Sequence, residues 1–112
     1  MLSYLLPITY YLTMAIIENH QHLYGGINPD GSIWFGEGFS AKQLKEGTYV
    51  VYFEQSFRTK PAPVCTIVGA EWKTFNLSVA ITEILPFHFV CVTSTSKHPV
   101  DCHFIFNVFG EV

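Results

Sequence analysis

Turn-forming residues cut this chain into short runs from Gly25 to Pro99. Gly25-Gly26 comes first, and Asn28-Pro29-Asp30-Gly31 follows. The second is the strongest signal, because proline presets φ and an Asp-Gly pair suits a tight hairpin turn. Gly36 and Gly38 flank Glu37, and Lys45-Glu46-Gly47 closes the next loop. Further breaks fall at 58–63, 69–73, Pro86 and 94–99. Two prolines within 58–63 remove ladder donors, so that stretch cannot be a central strand.

The intervening runs, 21–27, 32–35, 48–53, 64–68, 77–84, 87–93 and 100–109, carry strand character. Many alternate with period two. In 48–53, Tyr49, Val51 and Phe53 share a face. In the last run Cys102, Phe104, Phe106 and Val108 alternate with His103, Ile105, Asn107 and Phe109. This pattern predicts an all-β fold, an antiparallel β-sandwich of about six to seven short strands. The one helix candidate is 40–46, with Ser40 at its N-cap, and it is short for a stable helix. The chain divides into an apolar segment, 1–14, and a single β-sandwich domain, 15–112.

Composition bears on what surrounds that domain. Only 13% of residues are charged while 49% are hydrophobic, against a typical charged share of about 25%. Val50 and Tyr52 back Tyr49, Val51 and Phe53, and Ile105 and Phe109 back Phe104 and Phe106. A strand apolar on both faces needs a second cover, and a symmetric partner chain supplies one. A homo-oligomer is therefore expected. The net charge of −3 and the scattered basic residues argue against a nucleic-acid partner.

The segment MLSYLLPITYYLTMA is uncharged and interrupted by Pro7. It is shorter than the roughly 20 apolar residues of a membrane-spanning helix, so no membrane span is expected. It lacks the basic start of a signal peptide, although Thr13 and Ala15 suit a cleavage site. Met14 is an alternative start. A third reading retains the segment as a strand or an oligomer contact, since Tyr4, Ile8, Thr9, Tyr10 and Tyr11 favour extended backbone.

Little in the sequence points to catalysis. There is no nucleophile elbow, phosphate loop or paired carboxylate spacing, so no catalytic residue and no cofactor are assigned. Gly36-Glu37-Gly38 lacks the helix start that a phosphate loop needs. His20 and His22 share a face of an extended strand, a spacing that can chelate zinc, but no third ligand stands nearby and no metal site is assigned. Cys65, Cys91 and Cys102 lie in apolar runs and read as small buried hydrophobes. A Cys91–Cys102 bridge is an alternative if their strands form a hairpin. Trp34 reads as core or interface. Trp72 lies in an inter-strand loop between Glu71 and Lys73. An indole there suits a platform for a sugar ring or an anchor for a protein partner, and equally a ring folded back over the sandwich end. Asn76 and His98 are the nearest polar candidates to join Trp72, Glu71 and Lys73 in a ligand site.

Five pieces in order carry a resemblance, two of them within INPDGSIWFGEGF, then GTYVVYF, Phe57 with Pro61, and the closing HFIFNVFG. Asn28, Asp30 and Gly31, then Gly36, Gly38 and Phe39, then Gly47, Tyr49, Val51 and Phe53 match the pattern, as do Phe104, Phe106 and Gly110. The chain thereby resembles a small β-sandwich module found at the C-termini of phage tail-fibre-like and bacterial surface or collagen-like proteins. It is also similar to the H-type lectin fold, which implies a trimer. Where that family closes with tryptophan before Ala-x-Gly, this chain has Phe106 and Phe109, so the resemblance carries architecture rather than galactose-type binding. It implies a non-enzymatic recognition module, extracellular, cell-surface or virion-associated, for a glycan or protein receptor. The alternative is a structural trimerisation or capping domain without its own ligand.

Overall fold

The computed structural model describes residues 19–112; the expectations for 1–14 lie outside the described residues. Among the described residues eight strands form two antiparallel sheets. They are β1 His20–Ile27, β2 Ile33–Gly36, β3 Phe39–Lys45, β4 Thr48–Phe53, β5 Ala62–Val68, β6 Ser78–Leu85, β7 His88–Ser94 and β8 His103–Glu111. The first sheet has the order β2-β1-β8-β5 and the second β3-β4-β7-β6. The all-β expectation holds, with one strand more than the highest number expected.

The extra strand is a correction. The helix candidate 40–46 is β3, paired along β4 from Phe39↔Phe53 to Lys45↔Thr48. Phe39 is buried and Ala41 packs against the core. Burial on that two-residue period outweighs the helix propensity of Ala41, Lys42, Gln43 and Leu44.

Hairpins join β1 to β2, β3 to β4 and β6 to β7. The first is the Asn28–Ser32 turn. The Gly31 amide donates to the Asn28 carbonyl at 2.9 Å, and the Ser32 amide and hydroxyl donate to the Asp30 carboxylate at 3.0 and 2.6 Å. Those Ser32 bonds hold the Asp30 carboxyl below its ordinary pKa.

The chain crosses to the other sheet after β4, through the stretch read as unable to be a central strand. Phe57 plugs this crossing, nearly fully buried, with its ring 4.9 Å from Phe53. β4 itself is central, between β3 and β7. Its inward residues Tyr49, Val51 and Phe53 meet Phe104, Phe106 and Val108 of β8 in one core cluster. Phe106 is its centre, in edge-on contact with Phe39 at 4.9 Å and Phe89 at 5.5 Å. Such aromatic pairs add about 0.5–1.5 kcal/mol beyond area burial.

The outward face of β4 is covered differently from the expectation. Val50 is 1% exposed within the single chain, with Lys42 and Val90 as its cross-strand partners. Tyr52 stands edge-on to His88 at 5.6 Å, and His88 Nε2 meets the Glu83 carboxylate at 2.5 Å. Val50 is thus already buried in the single chain, whereas Tyr52 stays 40% exposed.

The cysteines also depart from one expectation. β7 and β8 lie in different sheets, so Cys91 and Cys102 are not hairpin partners, and all three thiols are free. Cys91 and Cys102 are buried, as small hydrophobes would be. Contact with the Cys65 thiol, and then burial, push the Cys91 thiol well above its ordinary range.

Candidate functional site

Two surface regions present chemistry. The first is the crossing from β5 to β6, where Glu71–Thr74 forms a single helical turn. The Lys73 amide donates to the Ala70 carbonyl at 2.9 Å and the Thr74 hydroxyl to the Glu71 carbonyl at 3.0 Å. The turn replaces the irregular loop expected there. It leaves Trp72 72% and Phe75 78% exposed. The Lys73 ammonium sits 4.9 Å from the Trp72 ring centroid, a surface cation–π contact.

Of the residues assigned to this site from sequence, Glu71, Trp72, Lys73 and Asn76 lie together on this exposed segment. His98 belongs to a separate turn, 95–99, where its amide donates to Thr95 Oγ1 at 3.2 Å. Beneath the helical turn lies an open hollow of about 340 Å³. Lys73 lines it with Pro29, Asp101 and His103, whereas Trp72, Glu71, Asn76 and His98 do not. Trp72 is therefore a projecting group rather than the wall of a pocket.

The second region is the outward face of the first sheet. The ladder between β1 and β8 runs from His20↔Glu111 to Ile27↔Phe104. It places His20, His22 and Tyr24 beside Phe109 and Asn107. His20 stacks on Phe109 at 5.0 Å, and His22 stands 6.2 Å from Phe109 and 6.0 Å from Tyr24. His22 Nε2 pairs with Asn107 Oδ1 at 2.9 Å. Further along, Trp34 contacts Phe35 at 5.3 Å and His103 at 5.0 Å. His103 Nε2 is fixed by Asn28 Oδ1 at 3.1 Å. The Phe35 and Trp34 rings come this close to the strand because position 26 is glycine. A Cβ there would run into the Phe35 ring and lie 2.9 Å from Trp34 Cε3.

Where β2 leaves this sheet, Gly36-Glu37-Gly38 bends the chain toward β3. Gly36 and Gly38 have φ of 106° and 90°, which side chains strain to adopt. A Cβ at Gly36 would lie 2.6 Å from the Tyr24 carbonyl oxygen, so the turn is seated directly on β1. The Glu54 amide donates to the Gly38 carbonyl at 3.0 Å and ties it to the second sheet. Beside the turn is a hollow of about 600 Å³ lined by His22, Leu23, Tyr24, Phe35, Gly36, Glu37 and Gly38.

Sequence reasoning did not assemble this second region. It noted the shared face of His20 and His22 and the flanking of Glu37, but Asn107 and Phe109 arrive from the far end of the chain. Among the described residues no group of three or more His, Cys, Asp or Glu side chains is placed to hold a metal ion. Among the same residues no helix is long and apolar enough to cross a membrane. No protein-family model matches the chain, and no curated protein matches it. The class that fold and surface define is an all-β domain of sandwich-like build with exposed aromatic groups on a turn and on one sheet face.

Proposed function

We propose that this domain is a non-enzymatic recognition module, surface- or fibre-associated, that engages a glycan or a protein receptor through the Trp72 turn. The observation that carries this reading is the exposure of Trp72 at 72%, with Phe75 at 78% three residues on. Burying a large apolar side chain is worth about 1.5–3 kcal/mol, which folding has not gained at either ring. Contact with a ligand gains it. Glu71, Lys73 and Asn76 supply charges and an amide around the rings, as a polar rim does around an apolar anchor.

The test is a glycan array run with wild-type protein and Trp72→Ala in parallel. Binding that the substitution abolishes, with circular dichroism unchanged, supports the reading. Binding that survives places the site elsewhere. If no glycan binds, the structural reading or a protein receptor gains.

The structural reading, a trimerisation or capping unit, is favoured by a different observation. The middle outward positions of β8, namely Ile105, Asn107 and Phe109, carry no ionisable chain, with His103 and Glu111 at the two ends, and Phe109 is 44% exposed. Such a face can meet a second copy without like-charge repulsion. Light scattering coupled to size-exclusion chromatography tests it: a clean monomer at micromolar concentration rejects the trimer.

A further inference from the structure

We propose that the hollow beside Gly36-Glu37-Gly38 is a binding site for an alkylammonium group, separate from the Trp72 turn. Four observations converge on it. Glu37 contributes a carboxylate to the wall, and no lysine or arginine lines the hollow. Among the described residues the one ion pair is His88–Glu83, so none of their cations pairs with Glu37. Two aromatic residues line it as well, Tyr24 at 60% and Phe35 at 42% exposure. The geometry is fixed in advance: both glycines hold the turn against β1, Phe35 lies over Gly26, and His22 is held by Asn107.

A carboxylate and aromatic rings lining one hollow suit a cation with an apolar shell. The ring faces attract the charge through their quadrupoles, and the carboxylate adds a direct Coulomb attraction. A polyhydroxylated ligand is served less well. It needs several donors and acceptors converging, and the wall offers the Tyr24 hydroxyl, the Glu37 carboxylate and His22, whose Nε2 is already paired to Asn107. The volume of about 600 Å³ leaves room for the group together with the chain that bears it, within the roughly 300–1,000 Å³ usual for ligand sites. Two sources carry this chemistry: a lysine side chain of a protein, and a quaternary ammonium headgroup.

The experiment is a titration of the full chain followed by two-dimensional NMR. The probes are choline, N-acetyl-lysine methylamide, the uncharged choline isostere 3,3-dimethylbutan-1-ol, and a methyl galactoside. The expected result is saturable shifts centred on Tyr24, Phe35 and Glu37 with at least one of the two cations. The neutral isostere should bind about tenfold more weakly, the size of a partly desolvated cation–π contact with an added charge. The tighter of the two cations identifies the source. Glu37→Gln and Tyr24→Leu, both at exposed positions, should each weaken the cation severalfold while leaving the remaining spectrum unchanged. Trp72→Ala should leave cation binding intact, so failure here and failure of the Trp72 reading are separable. Equal binding of the neutral isostere, preference for the galactoside, or an affinity indifferent to Glu37→Gln would overturn the proposal.

Discussion

Tyr49 makes one residue's contribution measurable on a pH axis. Its ring is fully buried in the middle of β4, tilted 5.2 Å from Phe104, and its hydroxyl donates to the Pro29 carbonyl at 2.7 Å. Burial, and then the nearby Asp101 carboxylate, push its pKa up from 10.0 to about 12. Tyr49→Phe removes one oxygen and leaves the Pro29 carbonyl without that donor, a loss of about 1 kcal/mol at neutral pH. At high pH the sign changes. The folded protein keeps a proton that the unfolded chain surrenders from its ordinary pKa upward. The folded state therefore binds more protons between pH 10 and pH 12, and stability falls as pH rises through that window. Two pH units at 1.36 kcal/mol each set the loss at about 2–3 kcal/mol near the top of the window. The phenylalanine variant loses none of this. It should be less stable than wild type by about 1 kcal/mol at pH 8, equal to it at roughly pH 10.5–11, and more stable by about 1 kcal/mol at pH 12. Urea denaturation of both proteins by far-ultraviolet circular dichroism, from pH 8 to 12, reads the difference directly. Other tyrosines, lysines and thiols titrate in both proteins and cancel in the subtraction. A stability difference that stays constant across the series would refute the reasoning.

Three further outcomes are expected. Phe106→Ala empties the centre of the core and should destabilise by about 3–5 kcal/mol in the same denaturation assay. Asp101 accepts from the Gly47 amide at 2.8 Å and from Gln43 at 2.6 Å, tying the β7–β8 crossing to the β3–β4 turn; Asp101→Ala should cost about 1–3 kcal/mol and speed amide exchange at Gly47. Trp72→Ala, by contrast, should stay within about 0.5 kcal/mol of wild-type stability, because the ring is largely in water.

Features written in adjacent residues were legible before the fold. The Asn28–Ser32 turn rests on proline and on Asp30 bonding two residues ahead. The core face of β4 follows from strict alternation, and the crossing after it from Pro61 and Pro63. β3 was not legible, because Ala41, Lys42, Gln43 and Leu44 suit a helix locally and only the strand beside them makes Phe39 and Ala41 an inward pair. Trp72 was legible as a loop aromatic with charged neighbours. His98 was grouped with it by residue type and proved to belong to another turn. The Glu37 hollow was out of reach for a geometric reason: the contact fixing His22 spans 85 positions. No local pattern encodes which strand becomes β1's neighbour.

The outward faces of the two sheets differ in a way that relates the two functional readings. On the second sheet Lys42, Glu83 and His88 stand around Val50 and Tyr52, so water and internal pairing satisfy that face. On the first sheet imidazoles, aromatic rings and amides take those positions, and the acidic groups, Glu37 and Glu111, lie at its margins. Desolvating the first face forfeits little ionic hydration, whereas desolvating the second strips a lysine and an ion pair. A second copy of the chain therefore meets less resistance on the first face. The Trp72 turn belongs to neither face, since it lies on the crossing from β5 to β6, two edge strands of different sheets. Assembly through the first face and recognition through the turn draw on different surfaces, so one does not exclude the other. The Glu37 hollow is less independent. Its walls include His22 and Tyr24 of the first face, and a copy seated there would compete with any cation for the same rings. Cation affinity that weakens as the protein concentration rises would reveal that competition, and affinity unchanged with concentration would place the assembly contact away from β1.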